Sequence, residues 1–268
     1  MSDPTVERLE LTTVANFRDV GGWETADGRR VAAGVLFRSA ALDKASETDR
    51  ATLVGLGLRT IVDLRSEAET EAQPDPVLDG VTGIHLDILA DAESVSAPAN
   101  LDKVLSDPVT VAAANEKLAD GSGLAHMVDA YRELVNLPSA LSSYRTFFSG
   151  LDGTPTLFHC TAGKDRTGWA AAAFLTLMGV DRDQVYQEYL LTNDLFLPAI
   201  APVFDGFAAA GGDPDLLRPL LGVQESYLDT AFAEVRDTFG GIENYFADGL
   251  GIDTAGQEDL RRRYLVTP

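Results

Sequence analysis

An α/β fold, with helices between its strands, is what this sequence predicts, and three stretches carry the prediction. Residues 156–158 (TLF) form a short apolar run that reads as a buried strand end, and from Thr167 the chain is almost continuously apolar, as a buried helix would be. Residues 60–64 (TIVDL) are rich in β-branched side chains, and residues 83–89 (GIHLDIL) alternate with the period of a strand.

In chain order, residues 8–22 contain NFRDVGG, a polar loop in which Arg18 and Asp19 precede two glycines that permit unusual backbone angles. Residues 34–38 read as a short strand and 43–55 as a helix with a polar face at Thr48, Asp49 and Arg50 and a glycine stop. Asp63 and Arg65 lie at the carboxyl end of the 60–64 strand, where ligands sit in open α/β sheets, so they are placed to brace a neighbouring loop rather than to react. Residues 67–79, with Pro74 and Pro76, read as a connection, and the 83–89 strand delivers Asp91 into the loop after it.

Residues 92–123 are polar, alanine-rich and far longer than an ordinary link. Leu101, Val104 and Leu105 have helical spacing there, and residues 111–118 favour helix. Helices are expected over 124–135 and 141–148, separated by Pro138, and residues 150–155 turn the chain into the 156–158 strand. Residues 181–193 read as a helix with Asp181 as N-cap. Residues 198–222 are broken by Pro202, Gly211, Gly212, Pro214 and Pro219 into short helical pieces. Tyr227, Leu228, Ala231, Phe232, Val235 and Phe239 form an apolar helical stripe that reads as core. Arg261, Arg262 and Arg263 suit the last turns of a helix, where the dipole favours cations.

A chain of 268 residues, 45% apolar, suits one domain (1–268) carrying an insertion at 92–123. A single cysteine excludes an internal disulfide framework. The N-terminal residues lack a basic region followed by an apolar core, and the longest apolar run is too short to span a bilayer. The expectation is a protein with no transmembrane segment, cytoplasmic or exported without a recognisable signal peptide. With 42 acidic against 21 basic residues, the formal net charge is -21, which argues against nucleic acid as a partner. An anionic small group is not excluded, because charges beyond about 8 Å are screened while donors in a loop act at contact.

The chemistry is concentrated between the 156–158 strand and the helix that follows. Cys160 begins this turn and Arg166 ends it, with Ala162 and Gly163 small enough for a tight curl. Such a curl points the N–H groups of Thr161, Ala162, Gly163, Lys164, Asp165 and Arg166 inward as an anion nest, and the helix adds the positive end of its dipole. A thiol at a helix N-terminus beside a cation is shifted toward thiolate, a nucleophile that needs no separate base. Arg166 offers a two-pronged donor that matches two phosphoryl oxygens, and Thr167 puts a hydroxyl within reach of the sulfur. Together these parts describe phosphoryl transfer to sulfur and then to water. His159 is placed to support the loop by hydrogen bonding. Aspartate-nucleophile chemistry lacks its motif, since Asp213-Pro214-Asp215 is late and broken by proline, and His85, His126 and His159 do not cluster as metal ligands. No metal and no cofactor are expected.

At His159-Cys160-Thr161-Ala162-Gly163-Lys164-Asp165-Arg166-Thr167 the chain resembles the cysteine-dependent protein tyrosine phosphatases, whose signature is His-Cys, five residues, Arg, then Ser or Thr. The resemblance extends to a bacterial branch of tyrosine and dual-specificity phosphatases through NFRDVGG (16–22), FRS (37–39), DLRS (63–66), Tyr189-Leu190, Asn193-Asp194 and a helical tail over 227–250. It implies a central, mostly parallel twisted sheet flanked by helices, with a mobile helical lid over 92–123. It also implies a phosphoprotein or phosphoinositide substrate, with phosphotyrosine as the main group hydrolysed and phosphoserine, phosphothreonine and phosphoinositides as further ones. Lys164, in an Ala-Gly-Lys run that phosphoinositide phosphatases often have, would meet extra phosphates, against the alternative of a solvated rim charge. Two carboxylates compete as general acid, Asp165 within the loop and Asp91 after the 83–89 strand, and Asp165 is favoured. The other class to weigh is a phospho-ligand-binding module with little turnover, which would have no use for the thiol.

Overall fold

In the computed structural model, which describes residues 11–92 and 108–267, the chain begins with β1 (Arg18–Asp19), β2 (Arg30–Val31), β3 (Leu36–Ser39), α1 (Glu47–Gly55) and β4 (Thr60–Asp63). It continues through α2 (Glu67–Ala72), β5 (Thr82–His85), α3 (Pro108–Leu118), α4 (Ser122–Asn136), α5 (Pro138–Ser149), β6 (Thr156–His159) and α6 (Arg166–Met178). Then come α7 (Arg182–Phe196), α8 (Ala201–Ala209), α9 (Arg218–Leu221), α10 (Glu225–Phe239), α11 (Thr254–Tyr264) and β7 (Leu265–Val266). One sheet has the order β1-β3-β6-β4-β5; β3, β6, β4 and β5 are parallel and β1 is antiparallel at one edge. The expected central and mostly parallel sheet is what the chain forms. β2 and β7 make a separate antiparallel pair.

β6 and β4 are central and almost wholly buried, which is why 156–158 reads as an apolar run and 60–64 as a β-branched one. β6 delivers the chain into a loop that α6 closes, and α6 is sealed inside: Trp169 through Leu175 expose none of their surface. Helices α4, α5 and α10 pack their aromatic residues around it, among them Tyr131, Tyr144, Phe148 and Tyr227. The other face of the sheet is covered by a smaller core of Val14, Phe17, Phe37, Leu53, Ile61 and Leu157. A third core is separate: Val111 of α3 packs with Phe207 of α8 and Leu217.

Several elements differ from the sequence reading. The connection over 67–79 opens with α2, whose N-terminus is closed by a reciprocal cap between Ser66 and Glu69. Pro138 does not separate two helices by a gap; it is the first residue of α5, a position where its missing N–H costs nothing. The strand at 83–89 is Thr82–His85, an exposed sheet edge, and its chain leaves the ladder once Asp87 turns back to cap Leu89. Asp181 occupies the N-cap position of α7 but its side chain makes no capping bond. Arg261, Arg262 and Arg263 do lie in the last turn of α11. The helical spacing of Leu101, Val104 and Leu105 lies outside the described residues.

Candidate active site

The loop from Cys160 to Asp165 is held from outside by its carbonyls. Thr161 O accepts from Ala41 N at 3.1 Å. Ala162 O and Gly163 O accept from Asn16 Nδ2 at 2.9 and 3.0 Å, and Gly163 O also accepts from Arg38 Nη2 at 2.6 Å. A trans peptide is planar, with C=O and N–H on opposite sides, so three carbonyls turned outward place the N–H groups of Ala162, Gly163 and Lys164 inward. Among the described residues none of these three N–H groups finds a protein acceptor. Gly163 has φ +65°, and a Cβ there would stand 2.2 Å from Ser39 O, so only glycine lets the loop lie this close to the end of β3. Cys160, which opens the loop, is buried, 2% exposed.

Arg166 is the first residue of α6, and its guanidinium is gripped by Glu69, with Nη1–Oε2 2.6 Å and Nη2–Oε1 2.9 Å. Thr161 Oγ1 also donates to Glu69. Burial opposes the charge on Glu69, yet the bidentate Arg166 contact pulls its carboxyl down to about 2. Burial likewise opposes the charge on Arg166, and the Glu69 pairing outweighs it, so the guanidinium stays charged. Tyr144 Oη donates to Arg166 O at 2.9 Å, anchoring the first turn of α6. The Thr167 hydroxyl is buried and makes no hydrogen bond, so the expected contact with the sulfur is not formed in this arrangement.

Asp165 receives Tyr131 Oη at 2.9 Å and Lys164 Nζ at 2.9 Å. Tyr131 has one hydroxyl proton, given to Asp165, so its 2.5 Å contact with Tyr189 Oη is a bond donated by Tyr189. Burial raises both phenols well above their usual range, and the Asp165 charge acts in the same direction. Lys164 is not a solvated rim charge. It is 6% exposed, and its Nζ also donates to Gly222 O at 3.3 Å, joining the loop to the segment after α9. Asp91 is engaged elsewhere, accepting from Ser139 N at 3.1 Å and from the Ser139 hydroxyl at the start of α5.

Asp63 and Arg65 are paired at 2.7 Å, and Arg65 also meets Asp75 at 3.0 Å. His159, fully buried, has Nε2 2.8 Å from Asp75 Oδ2 without forming a hydrogen bond there, Nδ1 4.0 Å from Asp63 Oδ1, and Nδ1 3.4 Å from Cys160 O at the start of the loop. Asp63, Asp75 and His159 are close enough together to suggest a metal, but the Arg65 guanidinium already lies against both carboxylates and fills the cationic position.

Arg18 and Asp19 do not act as a unit. Asp19 accepts from Gly21 N and Gly34 N, whereas Arg18 reaches the buried Glu188 of α7 at 2.6 Å. Glu69, Glu188 and Tyr131 are site residues that sequence reasoning missed. Glu69 had a signal, the Ser-x-x-Glu capping pattern at 66–69. Glu188 and Tyr131 lie inside helices with no local pattern, and only the tertiary fold brings them to the loop.

Residues 9–266 match a family described as the tyrosine phosphatase family. A Cupriavidus necator protein named for tyrosine-protein phosphatase activity is 33% identical over 270 residues, which cover 96% of this chain and 88% of that protein. The triple specificity protein phosphatase PtpB of Mycobacterium tuberculosis is 31% identical over 277 residues, covering 94% of this chain and 97% of PtpB. Among solved structures, P. aeruginosa TpbA is similar over 74% of this chain and 96% of its own, with 18% identity and a TM-score of 0.33.

Proposed function

This chain belongs to the tyrosine phosphatase family and is a protein tyrosine phosphatase of the bacterial cysteine type, and from that premise we propose that it works through a cysteinyl-phosphate intermediate. The observation that carries the reading is the trio of outward carbonyls at 161–163, which leaves inward N–H groups above Cys160 and beside Arg166. Cys160, at the end of β6 and the approach to α6, attacks phosphorus as a thiolate. The S–P bond forms as the bond to the aryl oxygen breaks, and that oxygen takes a proton from Asp165. Water then attacks phosphorus and gives a proton to the Asp165 carboxylate, the S–P bond breaks, and inorganic phosphate leaves with the thiolate and the Asp165 acid both restored. The loop N–H groups and Arg166 hold the three equatorial oxygens through both steps.

The substrate range extends beyond phosphotyrosine to phosphoserine, phosphothreonine and phosphoinositides. Lys164 supports this: it is a cation in the loop whose present partners, Asp165 and Gly222 O, can be exchanged for a further phosphate. The test compares p-nitrophenyl phosphate, phosphopeptides and phosphoinositides in excess chelator. Turnover should persist without divalent metal and vanish in Cys160→Ser; a need for added metal contradicts the mechanism. Lys164→Ala should lose phosphoinositide turnover more than phosphotyrosine turnover, and equal losses exclude a specific role.

A further inference from the structure

Behind the loop lies an ion cluster that the chemistry above does not use. Glu188 is 1% exposed and divides its two oxygens between two guanidiniums, Oε1 to Arg18 Nε at 2.6 Å and Oε2 to Arg38 Nη1 at 2.7 Å. Arg18 also donates to Asn16 Oδ1 at 2.5 Å, to Asn16 O at 3.1 Å, to Glu188 O at 3.2 Å and to Thr192 Oγ1 at 3.1 Å. The same Asn16 and the same Arg38 hold the carbonyls of Ala162 and Gly163. Asn16 has φ +60° and is the one described non-glycine residue with positive φ, a conformation that asparagine tolerates and most side chains do not. Three distant stretches of chain, at 16–18, 38 and 188–192, thus meet behind two peptide planes of the loop.

Resting on the reading that the loop binds a phosphoryl group, we infer that Glu188 is a positioning residue for the anion cradle, acting through Arg18, Arg38 and Asn16. By fixing both guanidiniums it fixes the donors that hold the Ala162 and Gly163 carbonyls outward, and the planar peptides then aim the N–H groups of Gly163 and Lys164 at the phosphate. A carbonyl bonded to a guanidinium also polarises its own peptide, which strengthens the N–H on the far side. Charge points the same way. Two guanidiniums share one carboxylate, so the cluster holds a surplus positive charge away from water, and an anion in the loop is its natural counter-charge. That surplus is felt within the cluster: burial, and then Arg38, lower Arg18 to about 10.

Tungstate, a phosphate mimic, is the probe. Its affinity is measured for wild type, Glu188→Gln, Asn16→Gly and a core control, Leu260→Ala on the buried side of α11, alongside kcat and KM for p-nitrophenyl phosphate and the folded fraction of each. Wild type must bind tungstate and turn over the ester; if it does neither, the phosphatase reading itself has failed. Given that it does, Glu188→Gln and Asn16→Gly, compared at equal folded fraction, should weaken tungstate by about tenfold or more and lower kcat, because charge-assisted bonds orienting the donors are lost. Asn16→Gly keeps the positive φ available and answers the question even if Glu188→Gln does not fold. Leu260→Ala should lose stability and keep its tungstate affinity. If folded Asn16→Gly binds tungstate like wild type, or Leu260→Ala weakens it as much as the cluster variants do, the positioning role is overturned.

Discussion

Asp165 and Glu69 show how single residues divide the work at one loop. Asp165 is the proposed proton donor, lying in the loop next to Arg166 with Tyr131 and Lys164 as its partners, whereas the Asp91 carboxylate caps the start of α5 through Ser139. General acid help is worth roughly a hundred- to ten-thousandfold and matters most for poor leaving groups. Asp165→Asn should therefore cripple phosphotyrosine hydrolysis far more than p-nitrophenyl phosphate hydrolysis, and Tyr131→Phe should shift the same ratio less. If Asp91→Asn gives that signature and Asp165→Asn slows both substrates equally, the two assignments are reversed. Glu69 is held at about 2 in the folded chain against an ordinary 4.5. A depressed carboxyl pKa adds stability that is fully present above the ordinary value and is lost as pH falls through the folded one. The stability difference between wild type and Glu69→Gln should then be constant above about pH 4.5 and shrink from there toward pH 2. A difference that grows on acidification would contradict the clasp.

At the scale of elements, what the sequence showed and what it hid have separate causes. The β6 strand, the loop and α6 were legible because a doubly buried strand and a sealed helix write long apolar runs around a polar signature. Helix α2 was not, because it is six residues long and buries none of them; its cap was the one local signal. Helix α3, within the expected insertion at 92–123, shares a core with Phe207 and Leu217, so it packs on the pieces after α7. Such a pairing of distant short helices leaves no period in the sequence. Lys164 ties the end of these pieces to the loop through Gly222 O. We propose that 92–123 serves as a gate that keeps oxidants from the thiol. Deleting the segment should hasten inactivation by peroxide and reduce discrimination among bulky substrates. An unchanged inactivation rate leaves it a surface feature.

For the molecule as a whole, the acidity and the chemistry sit at different ranges. A net charge of -21 acts over the surface and is screened within about 8 Å. The donors of the loop, Arg166 and the buried arginines behind it act at contact. Among the described residues no helix is long and apolar enough to cross a membrane. The sheet order brings β3, β6 and β4 side by side, so that Ser39, His159 and Asp63 end at one level, and this alignment sets the loop between its supports. Everything so arranged converges on one sulfur. The most direct measurement is rapid acid quenching during turnover of p-nitrophenyl phosphate, followed by mass spectrometry of the peptide that contains Cys160. The account predicts a burst of nitrophenol matched to the enzyme, with one phosphoryl group recovered on Cys160 and none in Cys160→Ser. A phosphoryl group on another residue, or a steady rate that survives in Cys160→Ser, would contradict it.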